Sequence, residues 1–307
     1  MKISTSLYFD RSTEQLGTVQ SKMAKTQEQL STGLNVVKPS DEPDKAALIT
    51  RLESQLARQV GFQNTLKAAN VRLTAEEAAL NGSSEVLYRV KELSVQAGND
   101  TLNAQDRHSI ALELKTLKAQ LLSLANSQDS NGNYLFSGGK AAVPAFQADT
   151  IGNIQYQGDQ SRMQVNIGDN RRLSLNMPGS DAYVRVLRDN GKGAKQGVDF
   201  FQSIDDLING VEAGNKLDIQ RGITEADVMQ NGISTALGQV GADLSVIDMQ
   251  NSVLDQLVLR IKSTKSDVQD LDYTDAITRM NKDQLALEAA QSSFAKISKL
   301  SLFNYIN

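Results

Sequence analysis

The chain has no cysteine, no tryptophan, one histidine and four prolines in 307 residues. Without cysteine there is no disulfide, no thiolate metal site and no cysteine nucleophile. A single histidine, His108, excludes every two-histidine metal motif. It lies in NAQDRHSIALEL, just inside a helix start, where an exposed helical residue is expected. Aromatic residues make up only 5% of the chain. Such scarcity, with abundant Ala, Leu, Gln, Ser and Asn, fits long helices packed side by side better than an enzyme with an aromatic-lined pocket. The formal net charge is −4, and Arg171-Arg172 is the only adjacent basic pair. Phosphate binding needs clustered Lys and Arg, so no nucleic-acid surface is expected. No stretch is apolar enough to span a membrane, and MKISTSLYFDRSTEQL lacks the continuous apolar core of a signal peptide. The general secretory route is therefore not indicated, although other export systems read uncleaved, amphipathic N-termini.

Apolar residues reach 40% and charged residues 22%, enough for a packed core. Prolines 39 and 43 sit in an early turn and prolines 144 and 178 in the middle; none follows, which leaves the last third free to be helical. In the first helix Leu16, Val19, Met23 and Leu30, with Thr26 in the missing slot, keep heptad spacing. Gly33 supplies a left-handed C-cap. Ser40 or Asp41 caps the next helix, with acidic residues and Pro43 in its first turn. That helix is expected from about Asp44 to Ala97. Leu52, Leu66, Leu73, Leu80 and Leu87 share one heptad position, Gln59 fills the gap, Ile49 and Leu56 add to the stripe, and Gly61 and Gly82 are candidate bends. After AGNDTLN, Asn103 and Asp106 offer a capping pair for a third helix carrying Ile110, Leu114, Leu117, Leu121 and Leu124.

The period then changes. Asn131-Gly132 marks a turn. Met163, Val165 and Ile167 alternate with polar residues, Gly168-Asp169-Asn170 turns, and Leu173, Leu175 and Met177 alternate again, predicting a β-hairpin. Ile154 with Tyr156, and Tyr183 to Leu187, predict further strands. Helix returns at Ser203, where Ser203 and Asp206 form an S-x-x-D pattern. After EAGNK, a stripe from Ile233 through Leu237, Val240, Leu244, Ile247, Leu254, Val258 and Ile261 to Val268 is interrupted only by Asn251 and Lys265. A last helix from about Asp272 to Leu302 carries Ile277, Met280, Leu287, Ala290, Phe294 and Ile297. The fold class is thus mainly α, with a β-rich insertion between helical arms. Both end seams are too narrow to form an independent core and need partners.

No catalytic constellation is present: no nucleophile elbow, phosphate loop or dinucleotide fingerprint. DSNGN lacks the spaced bidentate Glu of an EF-hand, so a turn is expected. No cofactor and no metal site is expected, and the paired acids Asp205-Asp206 and Glu76-Glu77 are read as solvated faces.

QEQLSTGLNVVKPSDEPDKAAL and DYTDAITRMNKDQLALEAAQSSFAKISKLSLFNYIN resemble the N- and C-terminal signatures of bacterial flagellins and their hook-associated relatives. NGNYLFSGGKAAVPAF, VVKPSDEP and the ending SLFNYIN resemble the hook-associated, junction-type members more than filament subunits. The resemblance covers both helical arms and the edge of the insertion, not residues 151–201. It implies a structural protein of the flagellum, outside the cell, exported through the flagellar type III apparatus and set between hook and filament. Implied partners are other copies of itself, a neighbouring hook-associated protein on the hook side, flagellin and the filament cap on the distal side, and an export chaperone holding the C-terminal helix. The implied division is 1–42 and 270–307 as terminal helices ordered on assembly, 43–136 and 202–269 as a helical rod, and 137–201 as an outer domain.

The expected assembly interface is Leu16, Val19, Met23 and Leu30 against Ile277, Met280, Leu287, Phe294 and Ile297, or against their copies in neighbours. Asn304 and Tyr305 are expected docking or chaperone contacts. The alternatives are a flagellin-type filament subunit, an enzyme or adhesin housed in the insertion, and a self-contained bundle whose ends pack on its own core.

Overall fold

The computed structural model describes residues 2–150, 152–189 and 195–303, and side chains within them except at 2–6, 8, 189 and 297–303. Helices α1 (Lys2–Thr32), α2 (Pro43–Ala97) and α3 (Ala104–Ala125) come first. Strands β1 (Phe146–Ala148), β2 (Ile154–Tyr156), β3 (Gln164–Gly168) and β4 (Arg171–Ser174), the short helix α4 (Gly179–Ala182), and strands β5 (Val186–Asp189) and β6 (Lys195–Val198) form the middle. Helices α5 (Phe200–Ala213), α6 (Lys216–Gln269) and α7 (Tyr273–Phe303) complete the chain. The expected class, mainly α with a β-rich insertion, is what is observed. Packing divides the chain into two units, 1–59 with 256–307, and 60–255, so α2 and α6 each contribute to both.

In the first unit α1 stops because Gly33 takes φ +70, a left-handed conformation that costs glycine nothing, while its amide returns to the Gln29 carbonyl at 2.8 Å. Leu34 then forms an isolated antiparallel bridge with Asp270. Asn35 N donates to Gln269 O at 2.7 Å, and Leu271 N donates to Gly33 O at 3.0 Å. The turn after α1 is thereby zipped to the turn before α7. Helix α2 starts at Pro43, whose missing amide donor is no loss in a first helical turn. Asp41, one of the two expected caps, instead pairs with Lys25 at 3.3 Å. Ile49 and Leu52 of α2, Val258 and Ile261 of α6, and Leu271 are buried. Lys265, an interruption of the α6 stripe, reaches Glu53 at 2.7 Å.

In the second unit the heptad stripes do become core. Leu66, Leu73, Leu80 and Leu87 of α2 and Ile233, Val240, Ile247 and Leu254 of α6 are buried. The two helices run antiparallel, tied by Gln63–Asp255, Ser84–Gln230 and Lys91–Asp227. The capping pair holds: Asn103 Oδ1 accepts from the amides of Gln105 and Asp106, and Asp106 accepts from Asn103 N. Gly82 has a packing role, since a Cβ there would lie 3.3 Å from the Leu124 side chain on α3.

Among the described residues the insertion holds three separate antiparallel strand pairs, β1–β2, β3–β4 and β5–β6, with α4 before the last. The expected hairpin is β3–β4, with a register shift between Asn166 and Gly168. Tyr183, expected in a strand, lies just after α4 and before β5. It is buried among Phe136, Phe146, Phe200 and Phe201, and its hydroxyl meets Ser83 Oγ at 2.9 Å. Phe136, Phe146, Tyr156, Tyr183, Phe200 and Phe201 thus form an aromatic cluster where strands too short to bury a sheet face need bulky anchors.

The S-x-x-D pattern does not start a helix. Helix α5 begins three residues earlier, at Phe200, with Asp199 as N-cap. Ser203 is an interior, buried position whose hydroxyl donates to Glu225 Oε2 at 2.6 Å, and Asp206 receives Arg188 at 2.6 Å. Burial of Phe200 and Phe201 fixes the start of the helix, and the capping pattern is overridden. At its other end Gly214, with φ +68, closes the helix through Gly214 N to Val211 O and Asn215 N to Gly210 O.

Candidate assembly surface

Helices α1 and α7 pack antiparallel. They meet at one end where Gly33 and Leu34 engage Asp270 and Leu271, and at the other where Phe9 meets Phe294. At about 1.5 Å per residue each helix is roughly 45 Å long. The shielded positions of α1 are Phe9, Ser12, Leu16, Val19, Met23, Thr26 and Leu30. Those of α7 are Ala276, Met280, Asp283, Leu287, Ala290 and Phe294. Both series advance by alternating threes and fours, the spacing of a two-helix seam.

The seam differs from the stripes of the second unit in depth. Leu16, Val19, Met23, Leu30, Met280, Leu287 and Phe294 are only half-buried, whereas Leu66, Leu80 and Ile233 are fully buried. Two helices in contact along one line leave the flanks of each contact residue to solvent, so part of the roughly 1.5–3 kcal/mol available per buried aliphatic side chain is not realised. Among the described residues of the seam, full burial occurs only near the zipped turns, at Thr26, Gln29, Leu271 and Ala276. Gln29 is held there by Nε2 donating to Asn35 O at 2.6 Å.

Of the residues expected at the interface, Leu16, Val19, Met23, Leu30, Met280, Leu287 and Phe294 lie on the seam. Ile277 does not; it is 50% exposed, and the neighbouring Ala276 occupies the seam position. Leu285 is 68% exposed on the same helix. The side chain of Ile297 and residues Asn304 and Tyr305 lie outside the described residues. Sequence reasoning missed Phe9, Ala276 and Asp283. Continuing the three-four spacing back from Leu16 gives Ser12 and then Phe9, so the first of these had a signal.

Unit 2 holds a cavity of about 360 Å³ bordered by Phe146, Tyr156, Tyr183, Arg185, Asp199 and Phe200. Its charged groups are committed to each other, Arg185 Nε to Asp199 Oδ1 at 2.6 Å. Burial pushes the Tyr156 phenol up to about 12, with its hydroxyl within reach of the carbonyls of Phe136 and Asp159. No nucleophile stands beside a base there. No cluster of His, Cys, Asp or Glu suited to a metal occurs among the described residues. DSNGN is a turn, in which Asp129 Oδ1 accepts from the amides of Asn131 and Asn133 at 2.8 and 3.0 Å.

The model of the bacterial flagellin N-terminal helical region matches residues 3–141, and that of the C-terminal helical region matches residues 223–306. Flagellar hook-associated protein 3 of Salmonella typhimurium is 26% identical over 99% of both chains. Among solved structures, a putative flagellar hook-associated protein from Vibrio parahaemolyticus superposes with a TM-score of 0.67 at 21% identity, covering 75% of this chain and 100% of that one. The flagellar junction protein of Legionella pneumophila gives a TM-score of 0.59 at 18% identity, covering 66% and 99%. With the two terminal regions together spanning more than two thirds of its length, the chain belongs to the bacterial flagellin family.

Proposed function

We propose that this protein is a structural component of the bacterial flagellum, an adaptor that joins the hook, through another hook-associated protein, to the flagellin filament. The observation that carries the mechanism is the half-buried α1–α7 seam. Apolar side chains left partly in water along about 45 Å of two paired helices gain burial when copies stack. A head-to-tail, non-closing contact between copies extends such a seam into a tube. Residues 1–42 and 270–307 then form the axial part, 43–136 and 202–269 the rod, and 137–201 the outer domain. Partners follow from position: a hook-associated neighbour below, flagellin and the cap above, and a chaperone on the C-terminal helix during type III export. The role is architectural, not enzymatic.

A flagellin-type filament subunit is the second reading, favoured by the family models for the two ends. Both readings have end-to-end relatives, and the higher identity to a hook-associated protein 3, 26% against 23% for the flagellin of Bacillus subtilis, favours the junction.

The test is deletion of the gene in its source bacterium, followed by electron microscopy and an assay for flagellin in the medium. Hooks without filaments, with unpolymerised flagellin outside the cells, are expected. Re-expression of the wild-type chain restores filaments, whereas Phe294→Asp, which puts a charge on the seam, does not. Normal filaments in the deletion strain would refute the junction role.

A further inference from the structure

Glu76 is fully buried on α2, and neither of its carboxyl oxygens has a hydrogen-bond partner of good geometry among the described residues. Its nearest cation, Arg72 one turn earlier, stands at 3.6 Å. That guanidinium is already engaged elsewhere. Its NH1 donates to Asp129 Oδ2 at 2.9 Å, Nε to Leu175 O at 3.0 Å, and NH2 to the carbonyls of Leu135 and Tyr134 at 3.1 and 3.4 Å. Through Arg72, helix α2 grips two segments of the insertion, the turn at 129–135 and the end of the β3–β4 hairpin.

The charged groups facing Glu76 are Arg72 on its own helix, Asp243 on α6 and, beyond the guanidinium, Asp129 of the turn. One cation thus stands among three acids. The Arg72 Nε that donates to Leu175 O is also the atom nearest Glu76, so an ionised Glu76 would draw on a donor the insertion already uses. A buried carboxylate with no well-placed donor is far more costly than a buried neutral acid.

We propose that the seat of the insertion on α2 is a proton-coupled latch, closed with Glu76 neutral and opened with loss of the Glu76 proton. Burial holds this carboxyl up at about 8, with Asp243 adding to the effect and Arg72 and the Met177 amide opposing it. Because the folded value lies above the ordinary 4.5, the closed seat binds the proton more tightly than the open one. Closure is therefore favoured most at low pH and is progressively lost as pH rises through neutrality. The inference does not depend on the junction reading, since it concerns the second unit alone.

The test is hydrogen exchange on the full-length chain, with intrinsic rates corrected for pH. It follows the amides of Leu135, bonded to Ser127 O, and Leu175, bonded to Met163 O. Their opening constants should rise about tenfold per pH unit between about pH 5 and pH 8 and level off above. Glu76→Gln, which copies the shape of the neutral acid, should keep the low-pH protection and remove the slope. A flat wild-type profile, or an equal slope in Glu76→Gln, would overturn the proposal. An equal slope at amides throughout α3 and α5 would also overturn it, because opening would then not be local to the seat. A carboxyl NMR titration that finds Glu76 ionised at pH 6 would do the same.

Discussion

Phe9 and Phe294, from opposite ends of the chain, meet edge to face with ring centroids 4.8 Å apart and planes inclined at 69°. They form the rung of the α1–α7 seam farthest from the zipped turns among the described side chains. Such a pair adds about 0.5–1.5 kcal/mol beyond the area it buries. Phe9→Ala and Phe294→Ala are each expected to raise exchange of the amides of α1 and α7, and the double variant to cost less than the sum. A coupling below a few tenths of a kcal/mol in the double-mutant cycle would mean that the rings touch without fixing the register.

The long stripes were legible because deep burial leaves an unbroken apolar period: Leu66, Leu73, Leu80 and Leu87 are core, as their spacing requires. The shallow seam was legible only in part. Ile277 is larger and more apolar than Ala276, so it draws the eye, but the seam takes the small residue, and Asp283 breaks the apolar pattern at a shielded position. The grip of Arg72 on Asp129 spans 57 residues and exists only once the insertion has folded. The Glu76-Glu77 pair looks like a solvated face in sequence, yet its first member is fully buried. Ser203 shows the opposite failure, a correct local cap pattern overridden by the burial of Phe200 and Phe201.

Gly33 combines φ +70 with a Cβ position 2.8 Å from the Tyr273 hydroxyl. Tyr273 is half exposed and can move aside, so the backbone carries the strain. Gly33→Ala should destabilise the zipped turns by about 1–2 kcal/mol. Its readout is faster exchange of the Asn35 and Leu271 amides, which donate to Gln269 and Gly33. Adding Tyr273→Phe should change this by only a few tenths of a kcal/mol. Full rescue by the second substitution would place the cost in the side-chain clash instead.

Asp129 sets an acid limit on the second unit. Burial opposes its ionisation, but the amides of Asn133 and Asn131, the Asn133 side chain and Arg72 outweigh it and hold the pKa below the ordinary 3.8. A depressed folded value means that the unfolded chain takes up the proton first. The stability from Asp129 is therefore complete above the ordinary value and is lost as pH falls below it. Asp129→Asn should cost about 1–3 kcal/mol at neutral pH and reduce the acid-side slope of stability below about pH 4. Urea unfolding at a series of acid pH values measures both; an unchanged slope would show that another carboxylate controls acid unfolding.

Arg188 on β5 holds Glu225 of α6 through two bonds of 2.7 and 2.8 Å and Asp206 of α5 at 2.6 Å, while Ser203 donates to the same Glu225. Glu225 is buried and Arg188 is partly open to solvent, so the pair joins β5 to two helices at the edge of the core. Glu225→Gln removes one charge but leaves the guanidinium in place, and should cost about 2–4 kcal/mol after allowance for the solvent at Arg188. Replacing both partners, Arg188→Met with Glu225→Leu, leaves Asp206 without its cation, so the stranded charge is removed only when Asp206→Asn is added, and that triple variant should recover part of the loss. Thermal unfolding of the second unit reads the difference at about 2–4 °C per kcal/mol for a unit of this size. If the triple variant is no more stable than the single one, the charged cluster is favourable in itself and contributes stability to this edge beyond fixing the position of β5.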